Sequence, residues 1–423
     1  MTRPPILSQK AELLLALQNA HRWLRVNGWS GYDPYDLRGA PFAIWAYDRA
    51  SWRRPHARLM RVMVDAADGF CPLASRRALR IRPKINPKAL ALSARAYLNL
   101  YSCTSDETYL SLALNALAIL QEHKAKGYAG ASWGYPFDWQ SQVFLPNGTP
   151  SGVVSAIVGD AFWRAYLLTD ISAFRTTCLD VCEFFLGSLD RDELDVSTQC
   201  FSYTPLDHMH VLNATSFIAE FLVRIGTKCG IPGFIQEGLR GAAYVIRNQG
   251  PEGEWQYFGP EDHLPPSIDH YHTGFVLRAL DSIAEVTQNE TIRAAVARGA
   301  SYYWQNLFTA DGLPQFSPTS LYPINAHTLA ESLLVLSAFD GRWFDAQARL
   351  RRIVQWVSAN MQDRDGHFYY SIRPAWKVKM PFLRWSHAWL FLGLSEVLLR
   401  LFDKGVADAT PPPCVHHHVR LDR

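Results

Sequence analysis

Residues 272–286, HTGFVLRALDSIAEV, read as an α-helix that is apolar on almost every face and carries small residues among the large ones. A helix of that kind is buried on both sides rather than laid on a surface. Five more stretches share its character. They are NPKALALSARAYL near Pro87, SGVVSAIVGDAFWRAYL from Ser151, VLNATSFIAEFLVRI from Val211, HTLAESLLVLSAF from His327 and HAWLFLGLSEVLLRL from His387. Their starts recur at roughly sixty-residue intervals, the sign of a repeat architecture.

Five of the six are followed by a more charged amphipathic segment, for example 107–121, 233–248, 290–307 and 345–361. Each unit is therefore a buried inner helix paired with a more exposed outer one. The sixth inner helix lacks a partner, a place that the amino-terminal segment 9–26 can fill, closing a ring. The expected fold is all-α: an (α/α)6-type toroid of helical hairpins over residues 1–408, with 409–423 as a flexible tail. Segments 39–50 and 52–66 leave a seventh hairpin open, and an open α-solenoid is the structural alternative. Short aromatic stretches precede the inner helices: Ser132-Trp-Gly-Tyr, Phe201-Ser-Tyr, Gly253-Glu-Trp-Gln-Tyr, Gly312-Leu-Pro-Gln-Phe and Gly366-His-Phe-Tyr-Tyr. Alternating aromatics beside glycine predict very short strands or extended loops at the mouth of a central pocket.

The composition bounds the function. A net charge of +3 in 423 residues excludes nucleic acid as a partner. Aromatic residues make up 13%, with 14 Trp and 18 Tyr, and rings with a polar tip suit a wet, sugar-stacking groove. The amino terminus lacks an apolar run with a cleavage site, and no stretch is long and apolar enough to span a bilayer. Seven scattered cysteines, with Cys178 and Cys182 inside an apolar helical pattern, read as free thiols. Together these predict a cytoplasmic protein.

Inner helices that run the same way bring their amino ends, with free N–H groups and positive dipoles, to one mouth. Of the eleven histidines outside the tail, His208, His210, His270, His272, His327 and His387 fall at these starts. Asp207, Asn213, Asp269, Tyr271, Asn325, Arg384 and Trp385 accompany them. Asp207-x-x-His210 and Asp269-x-x-His272 have helical spacing, but neither an H-E-x-x-H helix nor a C-x-x-C pair is present, so no metal and no cofactor are expected.

Two chemistries fit these residue types. Proton abstraction beside a carboxylate needs a base, a second group to protonate and a cation or amide to neutralise the acid. His387, His272, His210 and Tyr370, with Asp269, are its candidate acid/base residues. Arg373 and Arg384, in a stretch with Lys377, Lys379 and no acid, would hold the carboxylate. Asn325, His327 and His208 would bind the sugar, with Trp133, Trp139, Trp255 and Trp385 as stacking faces. Glycoside hydrolysis instead needs paired carboxyl groups, for which Asp33, Asp36, Asp138, Asp207 and Asp269 are available. A non-catalytic glycan-binding scaffold is the third possibility, and the oligomeric state is left open.

The carboxyl-terminal hundred residues resemble the helical domain of the glucuronyl carbon-5 epimerases. The resemblance rests on Phe316-Ser-Pro-Thr-Ser-Leu-Tyr-Pro-Ile-Asn325, Tyr370-Ser-Ile-Arg373 and Arg384-Trp385-Ser386-His387. The family's tyrosine after Arg-Trp is absent here, which passes the expected base role to His387. Residues 268–277, IDHYHTGFVL, also resemble toroid proteins of bacterial exopolysaccharide and capsule clusters. Both likenesses imply an oligo- or polysaccharide partner, anionic and uronate-type, acted on by an epimerase or lyase of polysaccharide biosynthesis. An inverting glycoside hydrolase is the alternative.

Overall fold

The apolar stretches become helices because both ends are specified locally. Asn86, Ser151, Asp269 and Asn325 accept hydrogen bonds from first-turn backbone N–H groups, which a helix start otherwise leaves unpaired. At the far ends, Ser105, Asp170, Gly230 and Gln288 adopt left-handed φ values of 53° to 69°. That conformation closes the helix and turns the chain at once into the outer partner.

The computed structural model describes residues 5–403. The end of the expected domain and the expected tail at 409–423 lie outside the described residues. Helix α1 (Pro5–Asn27) leads, followed by α2 (Pro41–Tyr47), α3 (Pro55–Phe70) and α4 (Pro72–Ala78). Five pairs come next: α5 (Pro87–Thr104) with α6 (Glu107–Glu122), α7 (Gly152–Thr169) with α8 (Ser172–Gly187), α9 (Leu212–Cys229) with α10 (Pro232–Arg247), α11 (His270–Thr287) with α12 (Glu290–Asn306), and α13 (Ala326–Phe339) with α14 (Gln347–Asn360). Helix α15 (Ala388–Asp403) completes the described chain.

Helices α5, α7, α9, α11, α13 and α15 pack side by side in that order, and α15 returns to α5. The ring is closed, so the all-α toroid expectation holds and the open solenoid does not. Helix α1 lies against α14 and α15 as the sixth outer helix. The seventh hairpin is not formed. Helix α2 has seven residues, about 10 Å of length, too little to make a wall beside inner helices of 14 to 18 residues. Instead α2 and α3 pack on each other over a separate small core of Leu37, Ala43 and Val64.

Small residues set the spacing of the inner helices. A Cβ on Gly159 would lie 2.5 Å from the Phe221 ring, and one on Gly274 would lie 2.6 Å from Glu331 Cγ. About two turns into the ring, charged side chains link its helices. Arg95 of α5 pairs with Asp160 of α7 at 2.7 Å, and Arg224 of α9 reaches the same Asp160 at 3.1 Å while also pairing with Glu220 of its own helix at 2.5 Å. Arg278 pairs with Glu331 at 2.6 Å, and Asn99 reaches Glu396 at 2.9 Å. Burying these charges is costly, and the pairing offsets that cost. Among the described residues, no helix is long and apolar enough to cross a membrane.

Candidate active site

The first turns of the inner helices surround a cavity of about 270 Å³. Lys88 of α5, Val153 of α7, Asn213 of α9, Tyr271 and His272 of α11, and His327 of α13 line it. Arg384 and Trp385 enter from the turn before α15, and Tyr35 and Trp139 from loops. Tyr35 and Trp139 stack at 5.6 Å with 4° between their planes.

The aromatic stretches before the inner helices build the wall. Trp133, Phe201, Trp255 and Phe368 turn inward and are buried in the hairpins, while Tyr135, Tyr203 and Tyr257, two residues after the first three, face the cavity. The extended pairing itself is as short as expected: bridges join Gly134 to Pro150, Gln249 to Trp255 and Gln362 to Phe368.

Two imidazoles flank the Tyr271 ring, at centroid distances of 4.3 Å for His272 and 4.5 Å for His327. His272 Nδ1 donates to Asp269 Oδ2 at 2.5 Å, while Asp269 Oδ1 accepts the His272 backbone N–H at 2.9 Å. One carboxylate therefore caps the helix and fixes the ring tautomer, leaving Nε2 as the free acceptor. His327 is buried between Tyr271 and Trp389, with neither ring nitrogen hydrogen-bonded. Burial first, and then the Lys88 charge, hold its pKa well below 6.5, so the ring is neutral.

No family model and no curated protein matches the chain. Solved structures do. Cellobiose 2-epimerase from Bacillus thermoamylovorans superposes with a TM-score of 0.60 at 13% identity, covering 75% of this chain and 88% of that one. The GH76 α-mannanase BT2949 of Bacteroides thetaiotaomicron gives 0.58 at 9%, covering 78% and 89%. An unsaturated glucuronyl hydrolase specific for heparin gives 0.54 at 10%, covering 75% and 87%. The fold is an α/α toroid.

Within the toroid, the residues singled out from sequence divide sharply. Asp269, His272, His327, Arg384, Trp139 and Trp385 line the cavity. His387 does not. Residues 383–387 form a π-helical turn, wider than an α turn, which delivers Arg384 and Trp385 to the cavity and swings His387 toward α1. There its Nε2 lies 3.3 Å from the Ala20 carbonyl and its ring 4.5 Å from that of Trp23. Burial lowers its pKa to about 3. His210 sits away from the cavity between Asp262 at 3.0 Å and Asp192 at 2.8 Å. Burial alone would lower its pKa, but these two carboxylates outweigh it and raise the value. His208 is exposed on Asp190.

Tyr370 packs edge-on against Phe382, and Arg373 turns back toward Trp376; neither is among the cavity-lining residues. Asn325 is the cap of α13, accepting from the Thr328 N–H at 2.7 Å. Trp133 and Trp255 are core residues whose indole N–H groups donate to the Leu120 and Val245 carbonyls. Asp33 and Asp138 line a separate cavity of about 530 Å³ beside α2. Asp33 is bound to Arg384 and Asn86, and Asp138 accepts from the Asn147 N–H.

Sequence reasoning missed Lys88, Tyr35, Tyr135, Tyr203 and Tyr257. Tyr135, Tyr203 and Tyr257 stand in the aromatic stretches expected at the pocket mouth, each two residues after a buried ring. Lys88 was signalled too, as a charge inside the otherwise apolar start of α5, NPKALAL.

Proposed function

We propose that this toroid is a carbohydrate-active enzyme that moves a proton on a uronate-type sugar, as an epimerase or lyase. The observation that carries the reading is the His272–Asp269 pair, set in a cavity walled by tyrosine and tryptophan rings. Aromatic faces suit the apolar faces of a pyranose ring, and tyrosine hydroxyls suit its polar rim. His272 Nε2 takes the proton from the carbon beside the carboxyl group, and Asp269 stabilises the imidazolium that forms. Return of a proton from water to the opposite face inverts the centre, whereas cleavage of the C–O bond at the neighbouring carbon, its oxygen leaving with the electron pair, forms a double bond. Neutral His327 lies across Tyr271 with neither ring nitrogen hydrogen-bonded.

The names of the structural neighbours support a saccharide as substrate, since they include an epimerase and two glycoside-cleaving enzymes. Paired-acid hydrolysis is less well supported. Among the described residues lining the cavity Asp269 is the one carboxylate, and it is already bonded to His272. A place in bacterial polysaccharide biosynthesis belongs to the same proposal and rests on the resemblance of residues 268–277.

The test is deuterium incorporation at sugar carbons, using uronate oligosaccharides in deuterated water. Uptake by the wild type that disappears in His272→Ala supports the reading. Glycosidic cleavage without any carbon-bound deuterium, or uptake indifferent to His272, defeats it.

A further inference from the structure

Proton removal beside a carboxylate is eased by a cation that holds that carboxylate, and neither arginine expected in the role is free for it. Arg373 lies off the cavity, and Arg384 is bonded twice to Asp33. Lys88 is different. It is the second residue of α5, follows the Asn86 cap and is 4% exposed. Its ammonium makes no hydrogen bond or ion pair among the described residues. Nζ instead lies 5.3 Å from the centre of the Trp389 ring and 5.9 Å from that of Phe275, and the side chain lines the cavity with His272 and His327.

A buried ammonium without a counter-ion is costly unless something supplies one. Every acid around it is engaged elsewhere. Asp33 is held by Arg384, Glu331 of α13 by Arg278, Asp160 of α7 by Arg95 and Arg224, and Asp269 of α11 by His272. Glu396 of α15 accepts from Asn99. Of the other charged or titratable groups around the cavity, Arg384, His272 and His327 offer no negative charge, burial raises the pKa of Tyr35, Tyr203, Tyr257 and Tyr271 and keeps their hydroxyls neutral, and the Tyr135 hydroxyl is bonded to that of Tyr203. The missing partner is an anion that comes from outside.

We infer that Lys88 is the carboxylate-binding residue of the cavity and makes its ligand a uronate rather than a neutral sugar. The inference rests on the carbohydrate reading above and narrows its substrate class. Burial, followed by the Arg384 charge, lowers the Lys88 pKa to about 7. Lys88 therefore gives up this proton above neutrality, and a bound carboxylate restores it. Binding at pH 8 takes up about one proton per uronate, and the preference for uronate weakens as pH rises through 7.

The experiment is calorimetry of the full chain in buffers of differing ionisation enthalpy. The probes are disaccharides from heparosan, alginate and polygalacturonate, each beside its carboxyl-reduced, neutral counterpart. The expected result is a preference of about tenfold or more for the uronate at pH 6, with proton uptake at pH 8. Lys88→Met loses both, while Lys88→Arg keeps the preference without the uptake, because a guanidinium stays charged. Should Lys88→Met not fold, the wild-type proton uptake still decides. Equal binding of acid and neutral sugars, or uronate binding without proton uptake at pH 8, overturns the inference and leaves the carbohydrate reading standing. Binding of neither class removes both.

Discussion

Arg384 and Asp33, 351 positions apart in the chain, share two hydrogen bonds of 2.5 and 2.7 Å inside the protein. The pair joins the segment ahead of α2 to the turn before the last inner helix. It forms a wall common to both cavities, since Arg384 lines each of them. Removing one partner strands a buried charge, so Asp33→Ala should cost about 3–5 kcal/mol. Urea unfolding measures this, and a loss below about 1 kcal/mol would show that water reaches Arg384.

The two histidines at helix starts should separate cleanly. His272→Ala should reduce carbon-bound deuterium exchange by about 10²–10⁴-fold, the usual contribution of a positioned acid or base. His387→Ala, which touches α1 and not the cavity, should leave the rate within a few-fold and lower the melting temperature. Equal losses of rate in the two variants would refute the placement of His387 in the core.

Tryptophans divide in the same manner. Trp133→Ala and Trp255→Ala empty the hairpin interiors and should each cost about 3–5 kcal/mol of stability. Trp385→Ala and Trp139→Ala act on the cavity wall and should weaken sugar binding with a smaller effect on unfolding. Parallel melting and binding curves for the four variants decide the matter.

Acid sensitivity follows from buried imidazoles. Burial lowers the pKa of both His270 and His387 to about 3 in the folded protein, against 6.5 for the free side chain. Between those values the unfolded chain holds protons that the folded chain does not. Stability therefore falls as pH drops from 6.5 toward 3, by up to about 1.4 kcal/mol per pH unit for each group. His387→Phe removes one of them, so its stability should depend less steeply on pH across that window. An unchanged slope in denaturant titrations would mean that His387 is protonated in the folded state.

Helix spacing offers a steric check. Gly159→Val places atoms where the Phe221 ring already lies, and overpacking of this kind costs roughly 1–3 kcal/mol. Chemical denaturation should show that loss without a change in the uronate preference of the cavity.

The ring itself was legible in the sequence because burial on two sides leaves a pattern that needs no partner to be seen. The apolar, alanine- and serine-rich stretches near Pro87, Ser151, Val211, His272, His327 and His387 gave six inner helices, and the spacing left an outer position for the amino-terminal helix. The caps Asp269 and Asn325, taken from sequence as site residues, were found only in the structure. Which side chains enter the cavity was a matter of helical phase, which advances about 100° per residue. His272 is the third residue of α11, His327 the second of α13, and His387 precedes α15 behind a π turn, so the three were never equivalent in direction.

Pairing over long separations was the other decision left to the tertiary structure. Lys88 stands without a counter-ion because Asp33 is bonded to Arg384 and Glu331 to Arg278, partners from distant parts of the chain. A sequence displays charges one after another; only packing determines which of them neutralise one another and which remain for a ligand.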